Sequence, residues 1–254
     1  MTRLTALLIA AASCSPALAA CGDSDDDNDA SDQLVVSAAS SLETAFTETA
    51  DAAGIDAKQS FAGSDELAAQ IRQGVKPDVF AAANTTLPDE LYKDGLVEKP
   101  VVFATNSLVL AVPAGSGITS VEDLTRPGTT IAIGDPEVPV GAYTREVLDR
   151  LPADQAKAIL DNVRSEEPDV LGIVGKLTGG AVDAGFVYVT DVIASDGALR
   201  AIELPAALRP DVAYGAAVVV GAGNPDGARK FIEGLLDGDG GFALKQAGFK
   251  PPPG

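Results

Sequence analysis

The sequence predicts a two-lobed α/β protein with mostly parallel sheets flanked by helices. From Leu34 onward, short β-rich runs alternate with helical segments, and repeated strand–helix alternation requires crossover connections between parallel strands. Two other β-rich segments, residues 106–113 and 213–220, have no helix directly behind them. We therefore expect two hinge crossings, with lobe I formed by residues 34–107 and 221–254 and lobe II by residues 108–220.

The composition limits the functions that this chain can serve. Its 254 residues are 46% hydrophobic and 22% charged, which is enough to bury a sizeable core. The formal net charge of −19 would repel a nucleic-acid backbone or an anionic membrane surface. The chain has no histidine, the commonest general base and metal ligand. We therefore expect no nucleic-acid partner, no catalytic residue and no metal held directly by side chains.

Residues 1–20 have the features of a lipoprotein signal peptide. Arg3 supplies the positive charge, and "LTALLIAAAS" supplies an apolar stretch that is too short to span a membrane. The tetrapeptide "LAAC" ending at Cys21 resembles the lipobox of bacterial lipoproteins. This resemblance implies that Cys21 is lipidated and anchors the chain on the extracytoplasmic face of the cell membrane. A competing site at Cys14 lacks the large apolar residue, and a soluble secreted form is the alternative.

Residues 21–33 are expected to form an acidic, disordered tether. The stretch "GDSDDDNDASD" contains six aspartates and no apolar residue larger than alanine, so it cannot offset the entropy lost on ordering. A calcium-binding loop would need spaced ligands and a terminal glutamate, which this stretch lacks. With Cys14 removed and Cys21 acylated, no disulfide is expected.

Five strand–helix pairs follow the tether. "LVVSA" precedes "SLETAFTETADAAG", "IDAKQSFA" precedes "SDELAAQIRQG", "DVFAAA" precedes "PDELYKDG", "TTIAIGD" precedes "GAYTREVLDRL", and "AGFVYVT" precedes "DVIAS". In the first helix, Leu42, Ala45, Phe46 and Thr49 recur at helical spacing and predict a buried stripe. No internal repeat is convincing. In such a fold we expect a crevice at the carboxyl ends of the strands, where helix N-termini converge.

Two of these helices begin with serines in matching positions. Ser40 lies three residues before Glu43, which is the spacing of a capping box, so we expect Ser40 to cap the helix and Ser41 to face whatever lies beyond the strand. "FAGSDELAAQI" repeats the layout with Gly63 and Ser64 in the equivalent places. A helix N-terminus carries partial positive charge and unpaired N–H groups, so two that converge can bind an oxyanion without a lysine or arginine.

Three further positions could complete such a site. In "DPEVPVGAYTREVL", Gly141 would let backbone amides approach a ligand closely around Val140. In "EEPDVLGIVGKL", Val170 lies just inside the first helical turn. In "GFVYVTD", Tyr188 ends a strand and adds a phenolic donor. Taken alone, each of these positions is more typical of a helix cap or a core residue.

Taken in order, the motifs resemble the ModA-type molybdate-binding proteins of molybdate ABC transporters. "AASSLETAF", "FAGSDELAAQIRQGVKPDVFAAAN", "GDPEVPVGAYTREVL" and "GFVYVTD" carry the resemblance, which runs from about Leu34 to about Phe249. It implies the type II periplasmic binding protein fold, a monomer without a cofactor, and an ABC permease as membrane partner. Carried over by motif, the ligand contacts would be Ser41, Ser64, Val140, Val170 and Tyr188. This chain has Val140 where the family often has alanine.

The chemistry of these donors suits molybdate or tungstate. Both are fully deprotonated dianions whose oxygens only accept hydrogen bonds, so hydroxyls and amides are complementary to them. Sulfate has the same charge but is smaller, whereas phosphate keeps a proton and would favour an acceptor carboxylate. Asp65 and Glu66, directly after Ser64, must point away from such an anion.

Other classes of protein fit the sequence less well. A binding protein of the same fold for sulfate, phosphate or a ferric complex is the main alternative, although an iron carrier favours clustered tyrosines and this chain has four in all. A hydrolytic enzyme is a distant alternative, because the chain lacks both a histidine and a G-x-S-x-G motif. A purely structural lipoprotein would not need two matched serine-bearing helix starts.

Overall fold

The computed structural model describes residues 33–252. The predicted signal peptide, most of the tether and the lipidation site Cys21 lie outside the described residues. Within residues 33–252, no helix is both long enough and apolar enough to cross a membrane.

Ten strands and nine α-helices make up the described part of the chain. The strands are β1 (Leu34–Ala39), β2 (Ala57–Ala62), β3 (Val79–Ala82), β4 (Val101–Asn106), β5 (Leu108–Pro113), β6 (Ile131–Gly134), β7 (Val163–Glu167), β8 (Ala184–Tyr188), β9 (Leu199–Glu203) and β10 (Val212–Val218). The helices are α1 (Glu43–Ala53), α2 (Ser64–Arg72), α3 (Thr86–Lys93), α4 (Pro139–Asp149), α5 (Ala153–Asp161), α6 (Val170–Thr178), α7 (Val189–Ala194), α8 (Pro225–Asp237) and α9 (Asp239–Gln246). Short 3₁₀ turns lie at Ser40–Leu42, Glu122–Thr125 and Ala206–Leu208.

The strands form two five-stranded sheets, one in each lobe. The first has the order β2-β1-β3-β10-β4 and the second the order β7-β6-β8-β5-β9. In each sheet the first three strands are parallel, and the last two add antiparallel pairs. Two flanked α/β sheets confirm the predicted fold class. The pairing is evenly mixed rather than mostly parallel, because each crossing brings in a strand that runs against its new neighbours.

The second crossing lies earlier in the chain than the sequence suggested. We expected lobe II to extend to residue 220, but β10 pairs with β3 and β4 in the sheet of lobe I. The chain therefore returns between β9 and β10, through residues 204–211. A long β-rich run shows that a strand is present but carries no local signal for the sheet that it joins.

Aromatic and aliphatic side chains fill the interior of both lobes. The predicted stripe of Leu42, Ala45, Phe46 and Thr49 is buried. The Phe46 ring packs edge-on against Phe231 of α8, with ring centroids 5.3 Å apart. In lobe II, β6 and β8 are buried along their whole length, as expected for central strands covered on both faces.

The parallel strands of both lobes lead directly into helical turns. The turn at Ser40 follows β1, α2 follows β2, and α7 follows β8. In lobe II, α4 follows β6 and α6 follows β7 after short loops. Since carboxyl ends of parallel strands lie at one edge of a sheet, this connectivity brings several helix starts together.

Candidate functional site

A small cavity between the lobes is lined by these helix starts. Its lining consists of Ala39, Ser40, Ser41, Ala62, Gly63, Ser64 and Ala83 from lobe I, and Val138, Pro139, Val140, Asp169, Val170 and Tyr188 from lobe II. All five residues that the motifs predicted as ligand contacts are among them. The space open to the centre of a water-sized sphere is about 20 Å³. This volume is close to that needed by one water molecule, so a larger solute could enter only if the lobes moved apart.

Ser64 is the first residue of α2, and its side chain is fixed as a donor toward the cavity. The residue is 1% exposed. Its Oγ accepts a hydrogen bond from the backbone N–H of Ala83 at 3.1 Å. This bond does not use the hydroxyl proton of Ser64, which is therefore available to a ligand.

Ser41 reaches the cavity from a 3₁₀ turn rather than from the first α-helical turn. Ser40 does not cap α1 as the spacing suggested: α1 begins at Glu43, and no side chain caps it. Instead the backbone N–H of Glu43 donates to the carbonyl of Ser40, which closes the turn with backbone groups alone. The Ser41 Oγ lies 2.9 Å from the hydroxyl of Tyr214 on β10.

Lobe II lines the cavity with the first turns of two helices, at Val140 and Val170. Val140 is the second residue of α4, after Pro139, and Val170 is the first residue of α6. Amides in a first helical turn have no acceptor within their own helix, so both positions can donate to an anion. Asp169 caps α6, and its Oδ1 accepts from the Gly172 N–H at 2.9 Å.

Gly141 has a packing role that differs from the expected one. A Cβ at this position would overlap the carbonyl oxygen of Asp135 and lie 2.6 Å from that of Gly134. The absence of a side chain thus lets α4 start directly against the end of β6. Gly141 is not among the residues that line the cavity, so it supports the Val140 amide indirectly.

Tyr188 carries a buried donor that has no partner among the described residues. The residue is 1% exposed, and its hydroxyl forms no hydrogen bond within the described part of the chain. Burial raises the pKa of Tyr188 well above its ordinary value, so the hydroxyl stays protonated at physiological pH. Leaving such a group unpaired is costly. A solute oxygen in the cavity would remove that cost.

Three of the four tyrosines form one cluster, which the sequence did not indicate. The Tyr188 ring centroid lies 5.8 Å from that of Tyr214 and 6.5 Å from that of Tyr143. Burial raises the pKa of Tyr143 to about 12 and raises the pKa values of Tyr188 and Tyr214 well above their ordinary value, so all three hydroxyls stay protonated near neutral pH. The Tyr214 hydroxyl is also hydrogen-bonded to the Ser41 Oγ.

The cavity is lined without any lysine or arginine. Asp169 is the single carboxylate among the lining residues, while Asp65 and Glu66 are absent from the lining. Behind Tyr188, the buried Asp191 accepts from the Tyr188 backbone N–H at 2.8 Å. Burial raises the pKa of Asp191 to about 7, against the lowering effect of that amide. No group of His, Cys, Asp and Glu side chains within residues 33–252 could hold a metal ion.

Sequence reasoning missed the polar groups that support the site from behind. Two of these groups bond directly to lining residues: Tyr214 to Ser41 and Asp191 to Tyr188. The third, Asn106, bonds to Tyr214. Tyr214 belongs to a segment that reads only as a buried strand, and Asn106 to the end of another. Only the motif around Tyr188, which includes Asp191, could have drawn attention to one of them.

The fold and the site together define a binding protein that encloses a small solute between two lobes. The sequence model of the bacterial extracellular solute-binding proteins matches residues 34–250, and the chain belongs to this family. It is 36% identical to the molybdate-binding protein ModA of Mycobacterium tuberculosis H37Rv, over 98% of this chain and 95% of the relative. The ModA-type resemblance is therefore confirmed, and the chain is a binding protein rather than an enzyme.

Solved structures agree with the two-lobed fold. The periplasmic molybdate-binding protein of Azotobacter vinelandii superimposes with a TM-score of 0.76 at 21% identity, over 87% of this chain and 100% of that one. The sulfate-binding protein SubI of Mycobacterium tuberculosis gives a TM-score of 0.77 at 18% identity, over 86% of each chain. Because proteins named for two different oxyanions share the fold, the fold alone does not select the ligand.

Proposed function

We propose that this chain captures molybdate or tungstate between its lobes and delivers it to the permease of an ABC transporter. The observation that carries the proposal is the buried Tyr188 hydroxyl, which has no partner within the described residues and lines the same cavity as Ser41 and Ser64. A tetrahedral dianion offers only acceptors, and every one of these groups can donate. The ion is bound as a ligand and is not a cofactor.

Neutral donors are sufficient for such a site. Amides at a helix start carry a partial positive charge, and hydrogen bonds to an ionised acceptor are each worth about 1.5–3 kcal/mol. The net charge of −19 opposes the approach of a dianion, but salt screens that repulsion beyond about 10 Å. Local donors therefore account for the affinity. Relatives named as molybdate-binding support this ligand.

Binding and lobe closure are coupled in this proposal. Ser41 and Ser64 belong to lobe I, whereas Val140, Val170 and Tyr188 belong to lobe II. Only the closed arrangement brings both sets of donors within reach of one ion, so the ligand stabilises closure by its higher affinity for that arrangement. The permease would then recognise the closed shape.

The ligand is tested by isothermal titration of the folded chain with molybdate, tungstate, sulfate and phosphate. We expect molybdate and tungstate to bind at micromolar or lower concentration and to raise the melting temperature. Failure of both ions to bind at millimolar concentration would refute the proposal. The chain has no tryptophan, so tyrosine fluorescence gives an independent readout of the cluster around Tyr188.

Hydrogen phosphate is a second candidate because of Asp169. Asp169 lines the cavity, and the carboxylate oxygen that does not accept from Gly172 could accept the proton that phosphate keeps near neutral pH. Tighter binding of phosphate than of molybdate, lost in Asp169→Asn, would favour this candidate. Sulfate, an all-acceptor dianion like molybdate, would compete on size alone, and the same titration ranks it.

We propose further that the mature chain is a monomer held on the extracytoplasmic face of the cell membrane by a lipid on Cys21. The support is the lipobox at Cys21 after a signal-like stretch. In cells, the unaltered chain should partition with detergent and membranes, whereas Cys21→Ser should not. Equal partitioning of the two chains would contradict the anchor, and the sedimentation velocity of the chain without residues 1–32 tests the monomer.

A further inference from the structure

A buried hydrogen-bonded chain leads from the first lobe crossing to Ser41. It begins at Asn106, the last residue of β4, which is 7% exposed. The Asn106 Oδ1 accepts from the backbone N–H of Ser107 at 2.8 Å. A backbone N–H can only donate, so this bond fixes which way the carboxamide of Asn106 is turned.

The orientation of the Asn106 carboxamide sets the donor and acceptor of the other hydrogen bonds in this series. The Asn106 NH₂ group donates to the Thr190 Oγ1 at 3.0 Å and to the Tyr214 hydroxyl oxygen at 3.4 Å. In the described part of the chain the Tyr214 hydroxyl has one other hydrogen-bond partner, the Ser41 Oγ at 2.9 Å. A buried phenol needs an acceptor for its proton, so Tyr214 donates to Ser41. Because Ser41 accepts this bond, its own proton is not used by Tyr214 and is free to donate into the cavity.

We infer that Asn106 and Tyr214 are positioning residues that hold the Ser41 hydroxyl as a donor to the bound oxyanion. The inference rests on the proposed function, since it assigns a role toward the same ligand. Neither Asn106 nor Tyr214 lines the cavity, so both act through Ser41. Ser64 accepts from a backbone amide and keeps its proton for the cavity. The hydrogen bonds through Asn106 and Tyr214 leave Ser41 in the same state, as an acceptor on one side and a donor toward the cavity.

The chain of bonds also spans the two lobes. Asn106 lies on β4 in lobe I, whereas Thr190 lies on α7 in lobe II. The Asn106–Thr190 bond is buried and joins the two lobes beside the first crossing. The bonds from Asn106 to Tyr214 and from Tyr214 to Ser41 lie within lobe I, and the bond to Thr190 links them to lobe II.

A double-mutant cycle on molybdate affinity tests the inference. The variants are Tyr214→Phe, Ser41→Ala and the double substitution, and Tyr92→Phe on exposed α3 is the matched control. Tyr214→Phe keeps the ring and its packing but removes the hydroxyl, so it should weaken binding about tenfold. Ser41→Ala should weaken binding by at least as much. In the Ser41→Ala background, Tyr214→Phe should change the affinity by less than about twofold.

The outcomes separate this inference from the proposed function. If the unaltered chain binds none of the four oxyanions, both fail together. If it binds molybdate but Tyr214→Phe weakens binding equally with and without Ser41, then Tyr214 acts by packing and only this inference is overturned. An unchanged affinity in Tyr214→Phe overturns it as well. Melting temperatures of all variants, measured without ligand, identify any that unfold. Thr190→Val removes the hydroxyl that accepts from Asn106, and it should reduce the affinity for molybdate by less than Tyr214→Phe does.

Discussion

Replacing Ser64 by alanine should weaken oxyanion binding and destabilise the fold by separate, calculable amounts. The hydroxyl that is lost would donate to an ionised oxygen, a bond worth about 1.5–3 kcal/mol, so the dissociation constant should rise about 10- to 100-fold. The same hydroxyl accepts from the Ala83 N–H. Ala83 is buried, and leaving its amide without a partner should cost about 1–3 kcal/mol of unfolding free energy.

The two effects are measured independently on one set of samples. Isothermal titration with molybdate gives the change in affinity, and urea unfolding without ligand gives the change in stability. Ser116→Ala is the matched control, because the Ser116 Oγ also accepts from a backbone N–H, that of Ile118 at 3.2 Å. Ser116 lies outside the cavity lining, so this control should lose some stability and keep the affinity.

A dissociation constant for Ser64→Ala within twofold of that of the unaltered chain would refute the assignment of this cavity as the binding site. A lower affinity with unchanged stability would retain the site but show that the Ala83 bond contributes nothing net. Equal losses of affinity in Ser64→Ala and Ser116→Ala would show that binding merely follows stability.

Three further predictions concern pH, packing and salt. Burial raises the pKa of Asp191 from 3.8 to about 7, so the folded chain binds this proton more tightly than the unfolded chain does. The free energy of unfolding should therefore fall as pH rises from about 4 to about 7. Asp191→Asn should flatten this part of the curve of unfolding free energy against pH, and a parallel curve would contradict the burial argument. Gly141→Ala should cost about 2–4 kcal/mol in urea unfolding, because the new Cβ meets backbone oxygen atoms; Gly175→Ala, with nothing within 4 Å, should cost nothing. Finally, with a net charge of −19, the association rate for molybdate in stopped-flow should rise as salt increases from about 0.01 to about 0.15 M, and a falling rate would indicate local attraction that the cavity lining does not explain.

Local sequence signals predicted most of the binding cavity. Each helix start follows its strand within a few residues. Short stretches of sequence were therefore enough to predict the strand–helix alternation and the positions of Ser41, Ser64 and Val170. The capping-box spacing at Ser40 was misleading, because the backbone closes a 3₁₀ turn there and needs no side-chain cap.

Contacts between distant parts of the chain could not be predicted in the same way. Ser41 and Tyr214 lie 173 positions apart, and Asn106 and Tyr214 lie 108 apart. Nothing local to Tyr214 distinguishes a buried strand tyrosine from one that orients a serine. The sheet joined by β10 is decided by the same kind of distant pairing, which is why the second lobe boundary was misplaced.

The matching strand orders of the two sheets have a geometric consequence for the ligand. When the two strand orders are compared from their parallel edges, β2 and β7 both come first and β1 and β6 both come second. The turn with Ser41 then corresponds to the start of α4 at Val140, and Ser64 corresponds to Val170. The lobes are thus two copies of one architectural unit, without any repeat in the sequence. Each presents a pair of proposed donor positions at corresponding helix starts, and lobe II adds Tyr188. A tetrahedron has opposite edges with two vertices each, so a four-oxygen ion can be gripped edge by edge.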